Sequence, residues 1–473
     1  MDKKLDDKKV VVGMSGGIDS SVAALLLKQQ GYEVIGVTLK HLPDELSENP
    51  GKTCCSLDDI NDARYTCYTL GIPHYVLNVV EEFKKDVMEY FVEMYNAGKT
   101  PSPCVICDEK VKIRKLVEFA DKMGIKHIST GHYSKVSQNN MLLWDKNNRK
   151  DQTYMLYRLD KEVVERFLFP LSEYKKSEVR EIARQNGIHT HNKPDSQGIC
   201  FAPNGYIPFL KKVLGDDVKK GNFVDKSGKV IGEHIGYQFY TVGQRHGLGL
   251  NLGKPFFVLE LRPETNEVVV GDFEELLVKE IEVINYKFHC DLKNITGKQL
   301  TARPRFSSKG LAGKLKILEN EKNKNKLIFE FDEKTHENSE GQHIVFYLEN
   351  EIVGGGEIKN IKDRVNKNTM AVYFDYNTKN SFEYRNLVGC EVKKESKNIS
   401  KKLTKIFIPS GKYAKFSLFG NPQTKVTNFW INFWKNFGEQ GEKLERTYTY
   451  DFEEYIAGDD PKNMEINIYI AVK

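Results

Sequence analysis

The stretch KVVVGMSGGIDSSVAALLLKQQG, residues 9–31, constrains the fold more than any other part of the chain. Its β-branched opening reads as a buried strand, and the apolar positions after Ser20 recur at helical spacing until Gly31. Between them lies GMSGGIDSS, residues 13–21. Gly13, Gly16 and Gly17 let backbone N–H groups turn toward an anion, the hydroxyls of Ser15 and Ser20 add donors, and the helix N-terminus contributes partial positive charge. A phosphate is expected there. The loop lacks the Gly-Lys-Ser/Thr ending of a Walker A loop and the spacing of a dinucleotide fingerprint. The plainer alternative is a glycine-rich turn that binds nothing. Asp19 weighs against it, because a carboxylate beside a phosphate site makes sense chiefly as a magnesium partner.

The first two hundred residues continue as they begin. YEVIGVTL reads as a strand, SLDDINDARYTCYTLG as a helix with Ser56 placed to cap it, PHYVLNV as a strand, and EEFKKDVMEYFVEMYNAG as a helix. A further helix from about Lys110 to Met123 and the strand KHIST follow. This alternation implies an α/β fold, a doubly wound parallel sheet. Past about residue 205 come short β-like runs such as KPFFVLEL, NEVVVG and KLIFEF, broken by Gly, Pro and Asn. A third texture follows Gly356: lysine-rich EVKKESKNISKKLTK, then strands around one amphipathic helix, KVTNFWINFWKNFG. With 473 residues the chain has length for roughly three domains. We divide it at 1–205, 206–275, 276–362 and 363–473: a catalytic α/β domain, two small β-rich domains and an α+β extension.

The opening MDKKLDDKKV has no apolar signal region, and no later run approaches membrane-spanning length, so a cytoplasmic protein without a membrane partner is expected. A net charge of +5 permits a polyanionic partner but does not demand one. Eight cysteines are too few and too scattered for a disulfide framework in a chain this long. Two of them, Cys104 and Cys107 in KTPSPCVICDEK, stand three positions apart between prolines and basic residues. A metal clip, a redox dithiol and a sulfur-handling site all remain open for that pair. A structural zinc site normally needs four ligands, and no second C-x-x-C exists.

The phosphate loop resembles the SGGxDS signature of the PP-loop ATP pyrophosphatases, a fold of the adenine nucleotide alpha hydrolase type. Further segments resemble one branch of that superfamily, the tRNA-specific 2-thiouridylases: TPSPCVICDEKVKIRKL, TGHYSK with KDQTYMLYRL, KPDSQGICF, TVGQRHGLGL, ARPRFSS and GQHIVFY. They run in order over about residues 8–360. The resemblance implies ATP and magnesium as cofactors, tRNA (its anticodon loop) as substrate, and a persulfide donor such as a cysteine desulfurase or relay protein. ATP would adenylate the C2 oxygen of the wobble uridine, and a cysteine persulfide would then supply sulfur. A carbonyl oxygen is a poor leaving group until so esterified, and a bound persulfide supplies sulfur at high effective concentration.

Carried over residue by residue, the resemblance makes Cys200 the persulfide carrier and Cys107 its disulfide partner. It assigns ATP to Gly13, Met14, Ser15, Gly16, Gly17, Ile18, Asp19, Ser20, Leu39 and Gly131. Ser102, Pro103 and Cys104 would line the pocket for the everted base. His132, Lys150, Asp151, Gln152, Arg305, Phe306 and Gln342 would contact tRNA, and Lys110, Lys112 and Arg114 would favour thiolate or bind phosphate. This chain departs from the family pattern at Cys104, where an aspartate is common, at Asp108 for asparagine, and at His246 for lysine. With Cys104, Cys107 and Cys200 together, an iron–sulfur cluster with one open iron is the rival to cluster-free chemistry. Cys54, Cys55 and Cys67 are read as packing residues.

The tail resembles the later part of GyrI-like effector-binding domains, through NLVGCEV, IPSGKYAKFSLFG, NFWINFWKNFG and TYDFEEYIAGDDPKNMEINIYIAV. That likeness implies a small-molecule ligand near Glu453, with a cation over Trp430 or Trp434. Phe429, Trp430, Phe433, Trp434 and Phe437 also recur at helical spacing, which suits a core stripe, and a structural or docking role stands beside sensing. Two rival functions differ in class. A PP-loop synthetase acting on a small metabolite would not need Cys107 and Cys200, and a ligand-responsive regulator would not need an intact SGGIDS.

Overall fold

The computed structural model describes residues 5–43, 57–195, 198–250, 253–318, 326–361, 369–377, 383–389, 406, 408, 411–437, 446–447, 449–456 and 464–473. Ser56, Cys54, Cys55 and the side chains of Trp434 and Phe437 lie outside these residues. The chain forms two compact units, residues 1–360 and 361–473.

The first sheet of the larger unit is parallel. Strand β1 (Asp6–Gly13) is followed by helix α1 (Ile18–Gln29), β2 (Glu33–Lys40), α2 (Leu57–Leu70) and β3 (His74–Asn78). Two long helical stretches, residues 80–96 and 103–123, then lead to β4 (Ile125–Ser129). Val10, Val11 and Val12 are fully buried, as expected for a strand covered by helices on both faces. A short hairpin, β5 (Lys135–Val136) and β6 (Leu142–Leu143), leaves this sheet before β7 (Phe167–Leu168) rejoins it. The strand order is β3-β2-β1-β4-β7.

The helix that carries the cysteine pair starts earlier than its sequence periodicity suggests. It begins at Pro103, where a missing N–H costs nothing because the first turn has no acceptor for it. Cys104 and Cys107 therefore share one helical face, three residues apart. Residues 84–89 and 108–112 take π-helical turns, each interrupting a longer helix.

Past residue 205 the chain is β-rich. Strands β8 (Gly221–Val224), β9 (Val230–His234), β10 (Phe257–Arg262) and β11 (Glu267–Gly271) make a four-stranded sheet in the order β10-β11-β8-β9. Next come β12 (Val278–Phe288), β13 (Gln299–Arg303), β14 (Leu311–Leu318), β15 (Lys326–Thr335), β16 (His343–Leu348) and β17 (Glu351–Lys359). These six close into a barrel through the pairing of β12 with β17, around Phe329, Phe331 and Phe346. The hairpin β5–β6 adds to β17 from the first domain, with Leu143 opposite Glu351. The smaller unit is a sheet of β18 (Thr369–Asn377), β19 (Glu383–Gly389), β20 (Lys412–Gly420), β21 (Tyr450–Tyr455) and β22 (Met464–Val472), in the order β19-β18-β21-β22-β20. The helix Pro422–Phe437 packs Phe433 against Ile466, Ile468 and Ile470.

Candidate functional site

The strand order reverses between β1 and β4, and an open α/β sheet takes its ligand outside the carboxyl ends of the strands at such a point. Both ends carry expected site residues: β1 runs into residues 14–17 and β4 into residues 130–132. Gly16 has φ +71, and a Cβ there would stand 2.1 Å from the Asp59 carbonyl oxygen. Ser20 Oγ accepts from the Ser15 amide at 3.1 Å and donates to the Gly17 carbonyl at 3.1 Å, so its hydroxyl shapes the loop from within. Ser15 is exposed, whereas Met14, Ile18 and Leu39 are buried beneath the loop. Gly131 presses against the start of α1, where a Cβ would lie 2.6 Å from the Ser20 amide nitrogen.

Asp19 departs from the expectation of a carboxylate held for magnesium. Lys176 Nζ donates to both its oxygens at 2.6 and 2.7 Å, and the Tyr133 hydroxyl donates to Oδ1 at 2.7 Å. Lys176 also stands 3.0 Å from Asp195, which in turn takes Arg180 at 2.8 Å and Lys150 at 2.7 Å. Burial opposes ionisation of Asp195, yet Lys150 and Lys176 hold its carboxyl down at about 2. Lys193 donates to the Gly16 carbonyl at 3.1 Å and to Asp59 and Asp62, each at 2.6 Å. Both charged residues of KPDSQGICF thus tie the segment leading to Cys200 to the phosphate loop. Sequence reading missed Lys176, Tyr133, Lys193 and Asp195. Tyr133, Lys193 and Asp195 were visible inside quoted motifs; Lys176 is 157 residues from its partner and carried no local signal.

The three sulfur residues share one electrostatic neighbour, Lys112. Its ammonium is held protonated well above the ordinary lysine range, chiefly by Asp108, against the opposing effect of burial, and further by Cys107, Cys104 and Cys200. One cation therefore lies within electrostatic reach of all three thiols, none of which is in a disulfide. Asp108 is buried, with Lys112 Nζ 3.5 Å from one oxygen and His132 Nε2 3.6 Å from the other. Burial works to raise its pKa, but Lys112 and His132 outweigh burial and the carboxyl titrates below its usual value. His132 is steered by Thr130, whose Oγ1 is 2.7 Å from Nδ1. His41 is buried beside Phe83, and burial, assisted by Lys112, pushes its pKa down to about 3. Cys107 is 3% exposed, while Cys104 and Cys200 are partly open. Among the described residues no three Cys, His, Asp or Glu side chains come together as ligands of a single metal ion. Cys67 lies apart in the core, its thiol pushed up to about 12 by burial.

The residues expected to meet tRNA divide by exposure. Lys110, Arg114, Lys150, Arg305, Phe306 and His246 are exposed. Asp151 is turned inward: it accepts from the Thr153 hydroxyl at 2.6 Å and the Asp145 amide at 3.1 Å, and burial raises its pKa to about 6. Gln152 accepts from the Tyr133 amide at 3.1 Å and Gln342 donates to main-chain carbonyls, so neither points its amide at solvent alone. Beneath Phe306, buried Arg303 stacks among Trp144, Tyr154 and Phe306 with its guanidinium 4.9–5.7 Å from the three rings. In the smaller unit Glu453 is buried, accepting from Trp430 Nε1 at 2.6 Å and from the Tyr455 hydroxyl at 2.5 Å.

Comparison with known proteins adds the decisive observation. A tRNA-specific 2-thiouridylase MnmA 2 of Fusobacterium nucleatum is 48% identical over 357 residues, 74% of this chain and 100% of that protein. The chain belongs to the tRNA-specific 2-thiouridylase family. The family member of that name from Clostridium kluyveri is 44% identical, over 74% of this chain and 99% of its own. Family descriptions match in series: a tRNA methyl transferase HUP domain at 8–204, a tRNA methyl transferase PRC-barrel domain at 207–272 and an aminomethyltransferase beta-barrel domain at 278–358. An integron-associated effector binding protein matches at 331–472. A 4-thiouridine synthetase solved with RNA and ATP is 20% identical over 44% of this chain and 50% of its own, with a TM-score of 0.27, too distant to add to the assignment.

Proposed function

We propose that this chain is an ATP-dependent tRNA-uridine 2-sulfurtransferase. The observation that carries the reading is the gathering of Cys104, Cys107 and Cys200 around Lys112, in the domain whose switch point bears the SGGIDS loop. ATP is held by the loop amides, Ser15 and the start of α1, where the helix N-terminus favours phosphate. Lys176 holds both oxygens of Asp19, so a magnesium ion would be held chiefly by the nucleotide's phosphate oxygens, with Asp19 beside them, and would supply charge shielding there.

The uridine C2 oxygen attacks the α-phosphate, pyrophosphate leaves, and C2 becomes electrophilic. The terminal sulfur of a Cys200 persulfide attacks C2, and AMP departs with the original oxygen. The Cys107 thiolate then attacks the Cys200 sulfur, forming a Cys107–Cys200 disulfide and leaving sulfur on C2. An external thiol must reduce that disulfide before the next cycle. Lys112 favours the anionic sulfurs this sequence needs. An upstream persulfide carrier charges Cys200, and the exposed Arg305 and Phe306 suit phosphate and base contacts with tRNA. The rival route would place an iron–sulfur cluster on Cys104, Cys107 and Cys200, with one iron open to bind sulfur. In the extension, the buried Glu453 beneath Trp430 suits a cationic ligand that displaces one of its two donors.

The test is incubation of the purified protein with ATP, a persulfide donor and unmodified tRNA, with thiolated uridine read by mass. Cys107→Ser and Cys200→Ser should each abolish product. Thiolation persisting in either variant refutes the relay. A visible absorption band after anaerobic purification, lost together with activity, would restore the cluster route.

A further inference from the structure

The turn entering β16, residues 339–342, reaches out of the barrel to the segment that precedes the cysteine helix. Gln342 Nε2 donates to the carbonyls of Thr100 and Pro101, each at 3.2 Å. The Thr100 amide donates back to the Glu340 carbonyl at 2.8 Å. Gly341, at φ +85, fits so closely that a Cβ would stand 2.5 Å from Met94 Cε and 3.1 Å from the Thr100 oxygen. The turn is itself fixed to β17, since Gly341 donates to the Ile358 carbonyl and Ile358 donates to the Gln342 carbonyl. On its other side Ser339 Oγ donates to the Val242 carbonyl at 3.0 Å, in the central domain.

Pro101 and Pro103 have no N–H, so this segment has few donors with which to anchor itself, and its carbonyls are what remains. An amide NH2 carries two donors and can take two adjacent carbonyls at once. Ser102 and the first turn of the helix bearing Cys104 and Cys107 follow directly. We propose that Gln342 is a positioning residue for sulfur transfer: the barrel uses it to fix where the cysteine helix begins. The side chain expected to contact tRNA thus acts on the polypeptide. Its catalytic consequence rests on the thiolation reading above; the clamp itself does not.

Gln342→Ala removes the side chain, and Gln342→Glu keeps its size while removing both N–H donors. In the full chain, with the persulfide loaded and tRNA and ATP saturating, both variants should slow single-turnover thiolation by about ten- to a hundredfold, the cost of misplacing a reacting group by about an ångström. Affinity for tRNA is measured in parallel, and the loss of rate should remain once tRNA is saturating. In the protein alone, Cys107 should alkylate with iodoacetamide several-fold faster than in the wild type, measured by mass against Cys290 of the same chain. Weakened tRNA binding with an intact rate at saturation would make Gln342 an RNA contact and overturn the proposal, as would a Gln342→Glu variant with wild-type rate and alkylation. If the wild type makes no thiouridine, the thiolation reading fails instead, and the alkylation ratio alone decides the clamp: a rise sustains it and no change overturns it.

Discussion

Lys112 and Asp108 face each other one π-helical turn apart, Nζ 3.5 Å from Oδ1, on the helix that carries Cys107. The carboxylate is buried and the ammonium only partly so, at 40% side-chain exposure. Lys112 thereby sets a cation within electrostatic reach of Cys107, Cys104 and Cys200.

Lys112→Met should lower stability and reactivity together. It leaves buried Asp108 with His132 as its remaining side-chain partner, a loss of about 1–3 kcal/mol after allowing for solvent around the lysine. The melting temperature of the full chain should fall, and Cys107 and Cys200 should alkylate more slowly at neutral pH. Unchanged alkylation rates would show that Lys112 does not act on the sulfurs.

Acid should destabilise the protein through two histidines. Burial depresses His41 and His343 to about 3, so the unfolded chain binds more protons than the folded one below about pH 6.5. Their contribution is present above that pH and is lost as pH falls toward 3, at up to about 3 kcal/mol each by pH 4. Asp151 runs the other way: raised to about 6, it costs stability as pH rises from its unfolded value. His343→Gln, which retains an acceptor for Tyr157, should flatten the loss between pH 6.5 and 4 in denaturant titrations.

Gly131→Ala should impair nucleotide binding while leaving the fold in place. Its Cβ would meet the Ser20 amide at 2.6 Å and the Asp19 backbone at 2.8 Å, displacing the start of α1. The Kd for ATP should rise about tenfold or more, a shift of about 1.4 kcal/mol per decade. Calorimetric titration of ATP reads it directly.

Truncation should separate the tail from the chemistry, provided the cut respects β17. Ending the chain after Asn360 removes the second unit alone and should leave thiolation intact. Ending it after Gly356 also removes Ile358, whose amide holds the Gln342 carbonyl, and part of the β12–β17 closure. That shorter chain should lose thiolation, and equal activity of the two would argue against the barrel's role at the site.

Much of the larger unit was legible locally. Alternating strand and helix patterns gave the parallel sheet because a doubly covered strand must be apolar throughout and its helices amphipathic. The start of the cysteine helix was not legible, since the sequence marks a helix only from about Lys110, and the bond from Gln342 to the Pro101 carbonyl joins residues far apart in the chain. Asp151 and Gln152 were expected to face tRNA, and nothing nearby in sequence announces Arg303 or Tyr133 as their neighbours.

By itself the sequence determined the phosphate loop between β1 and α1 and the α/β class, because glycine positions and hydrophobic periods act over a few residues, and its motifs carried the resemblance to the family. Tertiary structure alone decided that Lys176 answers Asp19, that Lys112 stands among Cys104, Cys107 and Cys200, and that Gln342 holds Thr100 and Pro101. Those contacts join segments tens to hundreds of residues apart, and Coulombic and hydrogen-bonding partners at such separations are chosen by packing, to which no local pattern is sensitive.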